Sequence, residues 1–297
     1  MENTIPKTSV AEILIEALPY IRRFAGMTVV IKYGGHAMVD EQLKEDFARN
    51  VSLLKFIGIH PVVVHGGGPQ INSVLDQMGI RPRFVRGMRM TDAPTMDVVE
   101  MVLGGKINKS IVAQLNQQGV RAVGLSGKDG GLIQATKMQI VYQEDTAKPP
   151  EIIDPGMVGE VTSINPAIIH TLTKDGFIPI IAPVGVGPCG ETYNINADLV
   201  ACHMAMALGA ARLILMTDVD GVLDEQGQLI SSLDAATVGE MITIQRITGG
   251  MIPKIECAVE ALKGGVKKVQ IINGKRRHAI LLELFTDQGI GTEVTLR

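Results

Sequence analysis

Apolar and polar positions follow two rhythms along this chain. In the stretch TSVAEILIEALPYIRRF (8–24), Val10, Ile13, Leu14, Ala17, Leu18 and Ile21 recur at the i, i+3, i+4, i+7 spacing of one helix face. Ser9 with Glu12 makes a capping-box pattern there, and Pro19 predicts a kink or a split. Continuous apolar runs come next. MTVVIKYGG (27–35), HPVVVHGGG (60–68), RAVGLS (121–126), FIPIIAPVG (177–185), ARLILMTDV (211–219) and KKVQIIN (267–273) read as buried strands. Helical patterns separate them, at 40–58, 69–79, 93–118, 166–176, 197–210, 234–243, 249–265 and 278–287. Short β runs broken by Pro and Gly predict hairpins at 83–91 and 131–163, and a last short strand lies at 292–296. Apolar strands alternating with helices predict an α/β fold. The expectation is a three-layer αβα sandwich with a mostly parallel central sheet, preceded by an N-terminal helix.

Composition narrows the function classes. The chain has 297 residues, 46% hydrophobic and 20% charged, which is too apolar for a disordered chain. Its 33 glycines cluster and show no collagen period. A net charge of −3 and 3% aromatics argue against a general nucleic-acid binder. The longest uncharged stretch, 56–75, contains two His, two Pro and a glycine triplet, so no membrane span is expected. Glu2, Glu12 and Glu16 near the start do not suit a targeting segment. Cys189, Cys202 and Cys257 are an odd number, widely spaced, which fits neither a disulfide framework nor a zinc site and points to a reduced cytoplasm. The break near 185–192 predicts a division into 1–25, an oligomerisation helix, 26–187, an N-terminal lobe, and 188–297, a C-terminal lobe.

Three strand ends carry candidate chemistry: Lys32-Tyr33-Gly34-Gly35, His65-Gly66-Gly67-Gly68 and Thr217-Asp218-Val219-Asp220-Gly221. Open α/β sheets bind ligands at the carboxyl ends of their strands, so one cleft could hold all three. Glycine lets backbone N–H groups approach an anion, and a helix N-terminus adds free donors. Tight turns are the plain alternative for either glycine cluster alone; two clusters with a strand-end lysine favour a phosphate cradle. No G-x-x-x-x-G-K-[ST], H-R-D or D-F-G occurs. A G-x-G-x-x-G stands at 185–190 with Pro188 inside it, which leaves a nicotinamide-dependent oxidoreductase as a rival. In Gly249-Gly250-Met251-Ile252-Pro253-Lys254 the lysine sits on a first helical turn, where it opposes the helix dipole unless an anion is bound; a solvated lysine is the alternative. Asn196 or Asp198 is a helix cap, or the two with Asn194 form a ligand-contacting set beside a glycine-rich loop. Arg89 is either a surface arginine or a carboxylate clamp.

In order along the chain, VIKYGG, VVVHGGGPQI, GMRMTD, YNINAD, LMTDVDGVL and GGMIPKI resemble the amino-acid kinase family, and within it the N-acetylglutamate kinases, over about 27–297. The resemblance implies transfer of a phosphoryl group from ATP to the γ-carboxylate of N-acetyl-L-glutamate, in arginine biosynthesis. That nucleophile is already ionised at pH 7, so positioning and charge neutralisation suffice. It implies that Lys32 and Lys254 stabilise the phosphoryl group from two sides and that Asp198 orients them. Gly35, Gly67 and Gly68 would donate backbone N–H groups, and Arg89 and Asn194, with Gly67 and Gly68, would hold the acyl substrate. Lys32, Gly34, Gly35, Thr217, Asp218, Val219, Asp220, Gly221, Gly249, Gly250, Met251 and Lys254 would face the nucleotide. Mg²⁺ would enter on the ATP phosphates, with no dedicated protein metal site. Arginine-inhibited members resemble this chain in the N-terminal helix and in LLELFTDQGIGT, which implies an L-arginine site at Tyr20, Glu283 and Gly291 and a homohexamer, a trimer of dimers. Acetylaminoadipate and carbamate kinases share the fold and stay as alternatives, as does a non-catalytic amino-acid sensor.

Overall fold

The computed structural model describes residues 7–85, 87–142 and 151–296. The parts of the predicted N-terminal segment and hairpins at 1–6, 86 and 143–150 lie outside the described residues.

Eight strands form one sheet. They are β1 (Thr28–Tyr33), β2 (His60–His65), β3 (Arg121–Ser126), β4 (Phe177–Ala182), β5 (Arg212–Thr217), β6 (Ser232–Asp234), β7 (Val269–Asn273) and β8 (Thr292–Thr295). Their spatial order is β6-β8-β7-β5-β1-β2-β4-β3. Every pairing is parallel except β7 with β8. Apolar side chains alternate between the two faces. Val29, Ile31 and Val63 join one core with Phe47, Leu54 and Leu103. Val30, Val62 and Val64 join another with Val200, Met204 and Leu262. A sheet buried on both faces needs strands without a polar side, which is why these runs carry no alternation. The three-layer α/β sandwich is as expected.

The register puts chemistry at one edge. β1 lies between β5 and β2, with Tyr33 opposite His65 and Lys32 opposite Leu215. Three strand ends far apart in sequence therefore meet at adjacent places.

Several local expectations change. The helix Lys7–Phe24 runs through Pro19 without splitting, and Ser9 lies inside it rather than at its cap. The helix expected over 93–118 is continuous but changes pitch. Ala93–Glu100 is α, Met101–Ile107 is π and Asn108–Gln117 is α again. Gly104 and Gly105, two weak α-formers, fall in the wider π turn. The C-terminal helix is only Ala279–Leu284, starting after His278 at a left-handed φ of 55°. The G-x-G-x-x-G at 185–190 opens no helix: Val184–Val186 pairs antiparallel with Thr192–Asn194 in a second, four-stranded sheet. A dinucleotide turn needs a helix N-terminus there, so that reading falls. β6 was not foreseen; its three residues are too few to show a period. No helix among the described residues is long and apolar enough to cross a membrane.

Candidate active site

Lys32 is the fifth residue of β1, and Gly34 follows the strand. A Cβ on Gly34 would stand 2.7 Å from Lys32 Nζ, so the absent side chain leaves room for the ammonium. Gly35 takes a φ of 70°, and a Cβ there would meet the Asp218 carboxylate at 2.5 Å. That carboxylate, just past β5, accepts the His36 backbone N–H at 2.7 Å. It thereby binds the loop after β1 to the loop after β5.

Asp198 sits in the first turn of the helix Ala197–Ala207, whose cap Asn196 accepts the Asp198 N–H at 2.7 Å. Asn196 is thus the cap and Asp198 is free for other work. Lys254, in the first turn of Ile252–Lys263, donates to Asp198 Oδ2 at 2.5 Å. Lys32 Nζ stands 3.2 Å from Oδ1, as an ion pair off the hydrogen-bond direction. Burial pushes the Asp198 carboxyl up, but the Lys32 and Lys254 ammoniums outweigh it and hold the group below the usual carboxylate range. A buried cation, Lys32, and a half-buried one, Lys254, share one buried anion, which leaves a surplus positive charge in a place of lowered dielectric.

A cavity of about 280 Å³ opens beside this cluster. Lys32, Gly34, Gly35, Gly67, Gly68, Arg89, Asn194 and Asp198 all line it. Gly67 caps the helix Gly68–Gln77, and among the described residues no protein acceptor takes its N–H. A Cβ on Gly67 would lie 2.4 Å from Ile107 and 2.6 Å from Leu103, so the π segment presses against this loop. Arg89 is buried and cationic. Its Nη2 donates to Asn72 Oδ1 at 2.5 Å and to Gly68 O at 3.3 Å, and its guanidinium lies 4.8 Å over the Phe84 ring. Nη1 is buried without a partner among the described residues. A buried guanidinium with an idle donor at a cavity wall suits an anionic group. Asn194 donates from Nδ2 to Thr91 Oγ1 at 3.2 Å and keeps its carbonyl oxygen available.

The other predicted residues lie elsewhere. Thr217 ends β5 and Asp218 to Gly221 follow it, but none of them lines this cavity. Asp220 accepts from Asn273 Nδ2 at 2.9 Å and Arg276 Nε at 3.2 Å. Gly221, at a φ of 145°, packs against Thr292 and Leu229. Gly249, Gly250 and Met251 form a single 3₁₀ turn ahead of the Lys254 helix. Tyr20, Glu283 and Gly291 line a different cavity, of about 740 Å³, between the N-terminal helix and the C-terminal segment. There Glu283 Oε2 accepts the N–H groups of Ile290 at 2.7 Å and Gly291 at 3.1 Å, and Tyr20 donates to the Asp287 carboxylate.

The profile of the amino acid kinase family matches residues 27–273. This chain belongs to the amino acid kinase family. It is 61% identical to an acetylglutamate kinase of Syntrophobacter fumaroxidans, covering 96% of this chain and 95% of that one. An acetylglutamate kinase of Syntrophus aciditrophicus is 58% identical over 99% of this chain and 100% of its own length. Among solved structures, the N-acetylglutamate synthase of Neisseria gonorrhoeae, complexed with coenzyme A and N-acetyl-glutamate, superposes with a TM-score of 0.82 at 27% identity. That match covers 96% of this chain and 63% of the synthase, so the present chain spans less than two thirds of that longer protein. The present member is a kinase, and as a kinase it uses ATP.

Sequence reasoning missed the support around the cluster. Asn72, Phe84, Asn273 and Arg276 hold Arg89 and Asp220 but stand in no motif that singles them out. The only available signal was the i, i+3 and i, i+4 positions of Asn72 in the helix after the glycine triplet, and that is ordinary for a helix.

Proposed function

We propose that this kinase transfers the γ-phosphoryl group of ATP to the γ-carboxylate of N-acetyl-L-glutamate, giving N-acetylglutamyl 5-phosphate and ADP, in arginine biosynthesis. The observation that carries the reading is the Lys32–Asp198–Lys254 clamp at 3.2 and 2.5 Å beside a cavity walled by Gly67, Gly68 and Arg89. The γ-carboxylate arrives ionised, so no general base is required. What the reaction needs is neutralised charge on the oxygens in flight. Lys32 and Lys254 supply it from two sides, and Asp198 fixes both ammoniums while its own charge stops them repelling each other. The N–H groups of Gly35, Gly67 and Gly68 complete the cradle. Arg89, through Nη1, and Asn194 hold the α-carboxylate end of the substrate.

The nucleotide lies against Gly34, Thr217 to Gly221 and Gly249 to Met251. Asp218 and Asp220 already accept protein donors, so Mg²⁺ enters held by the ATP phosphates. Residues 26–187 form the lobe that takes the acyl substrate and makes the dimer contact; 188–297 form the lobe that takes ATP. L-Arginine binds the cavity lined by Tyr20, Glu283 and Gly291 and inhibits the enzyme. That cavity carries both signs: Glu283 and Asp287 suit a guanidinium, Arg23 and Arg212 suit a carboxylate, and Glu293 is paired with Lys268 at 2.6 Å. The N-terminal helix exposes Ile13, Leu14, Ile15 and Leu18, an apolar surface that a second copy covers in a trimer of dimers. The three cysteines are free thiols, in keeping with a cytoplasmic enzyme.

Hydroxylamine trapping tests the reaction. Incubation with ATP, Mg²⁺ and N-acetylglutamate should yield the hydroxamate, while glutamate, acetylaminoadipate and carbamate should give little, and added arginine should suppress the signal. Absence of hydroxamate from N-acetylglutamate would overturn the proposed acceptor.

A further inference from the structure

A polar chain lies buried under the glycine loop that follows β2. His65, the last residue of the strand, is fully buried, and its Nδ1 is 2.8 Å from the Gly66 carbonyl oxygen. A carbonyl only accepts, so Nδ1 carries the proton and donates. Nε2 then offers a lone pair, 3.2 Å from Asn108 Nδ2. The Asn108 orientation is set independently, because Nδ2 also donates to Ile180 O at 2.9 Å. Asn108 Oδ1 accepts from Lys109 Nζ at 3.2 Å. Nδ2 also lies 3.4 Å from Leu125 O, and Lys109 Nζ also reaches Gly124 O at 3.2 Å, but the shorter contacts to Ile180 O and His65 Nε2 use the two amide hydrogens and hold the ring and the amide in one arrangement. The fold makes room for it: a Cβ on Gly124 would fall 1.7 Å from Asn108 Oδ1. Burial, with the nearby Lys109 charge, pushes the His65 ring down to about 4, so it is neutral and in one tautomer at pH 7.

The geometry points to His65, held by Asn108, as the positioning residue that aims the Gly67 backbone N–H at the reacting phosphoryl oxygens. A trans peptide sets its C=O and N–H in opposite directions within one plane. The Gly66 carbonyl is drawn to the buried ring, and Gly66 N donates to Tyr33 O at 2.8 Å on its other side. The Gly67 N–H, in the same peptide plane as that carbonyl, must point the other way. Gly67 lines the 280 Å³ cavity, and its N–H has no protein acceptor among the described residues. Without the ring, the Gly66–Gly67 peptide is free to rotate, as glycine allows on both sides. His65 itself touches no reacting atom. The inference rests on the reading that the Gly67 amide serves phosphoryl transfer.

The test compares kcat, both KM values and thermal melting for His65→Leu and His65→Asn, with Gly67→Ala and Lys254→Ala beside them. His65→Leu removes the donor to Gly66 O; His65→Asn puts an amide nitrogen near the place of Nδ1. We expect His65→Leu to fold and to lower kcat about tenfold to a hundredfold, with KM values within about twofold. His65→Asn should recover most of that kcat. A purely structural role would instead lower the melting temperature and leave kcat per folded molecule unchanged. A folded His65→Leu with kcat within about twofold of the parent overturns the inference. Should His65→Leu fail to melt cooperatively, Asn108→Ala, which keeps the ring but removes its partner, decides by the same kcat criterion. If Gly67→Ala and Lys254→Ala lose kcat while the decisive variant does not, only the role of His65 is gone. If none of them loses kcat, the reading of the glycine loop has failed as well.

Discussion

At the residue scale, the site is a problem of excess positive charge. Two ammoniums meet on Asp198 at 2.5 and 3.2 Å, and one carboxylate neutralises only one of them. The surplus is in place before any phosphate arrives, so little reorganisation is needed when charge develops. Lys32→Ala and Lys254→Ala should each cut kcat about 10²- to 10³-fold, with cooperative melting retained, as measured by steady-state kinetics and calorimetry. Near-normal kcat in either variant would remove that lysine from the mechanism. His65 gives a pH effect of definite sign. Its folded value, about 4, lies below the ordinary 6.5 because burial disfavours the charged ring. The unfolded chain therefore takes up the proton first as pH falls. The stability tied to the neutral ring is complete above about pH 6.5 and is lost progressively towards pH 4, on the order of 3 kcal/mol in all. Urea unfolding across that window should show this slope in the parent and its loss in His65→Asn. Lys32 and the glycine clusters were legible in the sequence because two glycine clusters and a lysine fall together at the ends of apolar runs, although either cluster alone reads as a tight turn. Whether Asn196 or Asp198 was the cap was not legible, since both residue types cap helices equally well.

At the scale of elements, the helix that begins at Ala93 shows how packing overrides propensity. Its apolar period continues across Gly104 and Gly105, so the pattern alone predicts one α-helix. The π turn Met101–Ile107 instead brings Leu103 and Ile107 against Gly67 and sets Asn108 under His65. No pattern in the sequence announces that change of pitch, because its reason lies in residues from two other elements. Gly124 in β3 is the matching small residue. Gly124→Ala would force a Cβ into the space of Asn108 Oδ1, 1.7 Å away, and should destabilise the fold by about 1–3 kcal/mol, read by thermal unfolding. An unchanged melting temperature would mean that Asn108 has slack the packing does not show. The hairpin Val184–Val186 with Thr192–Asn194 teaches the complementary point. A glycine fingerprint has meaning only where a helix follows, and here a strand does.

At the scale of the whole molecule, the two cavities are walled by different parts of the chain. The 280 Å³ cavity is closed by the loops after β1 and β2 and by the helix carrying Asp198. The 740 Å³ cavity lies between the N-terminal helix and the C-terminal segment, so a ligand there would act on the attachment of that helix. Deleting residues 1–25 should leave dimers in sedimentation velocity and abolish arginine inhibition while kcat stays within about twofold of the parent. A persistent hexamer, or undiminished inhibition, would reject the assigned role of the helix. By itself the sequence determined the α/β class, the buried strands, the strand-end glycines and the family. Those features are local: an apolar run long enough for a two-faced strand, or a glycine where a backbone must approach a charge, reads the same in any surroundings. Only the tertiary structure decided that β1 lies between β5 and β2, that Lys254 reaches Asp198 across 56 positions of chain, and that Arg89 lines the cavity with one donor left without a partner among the described residues. Those facts depend on strand order and on the direction of side chains. Both are set by the burial of all the elements together rather than by any one of them.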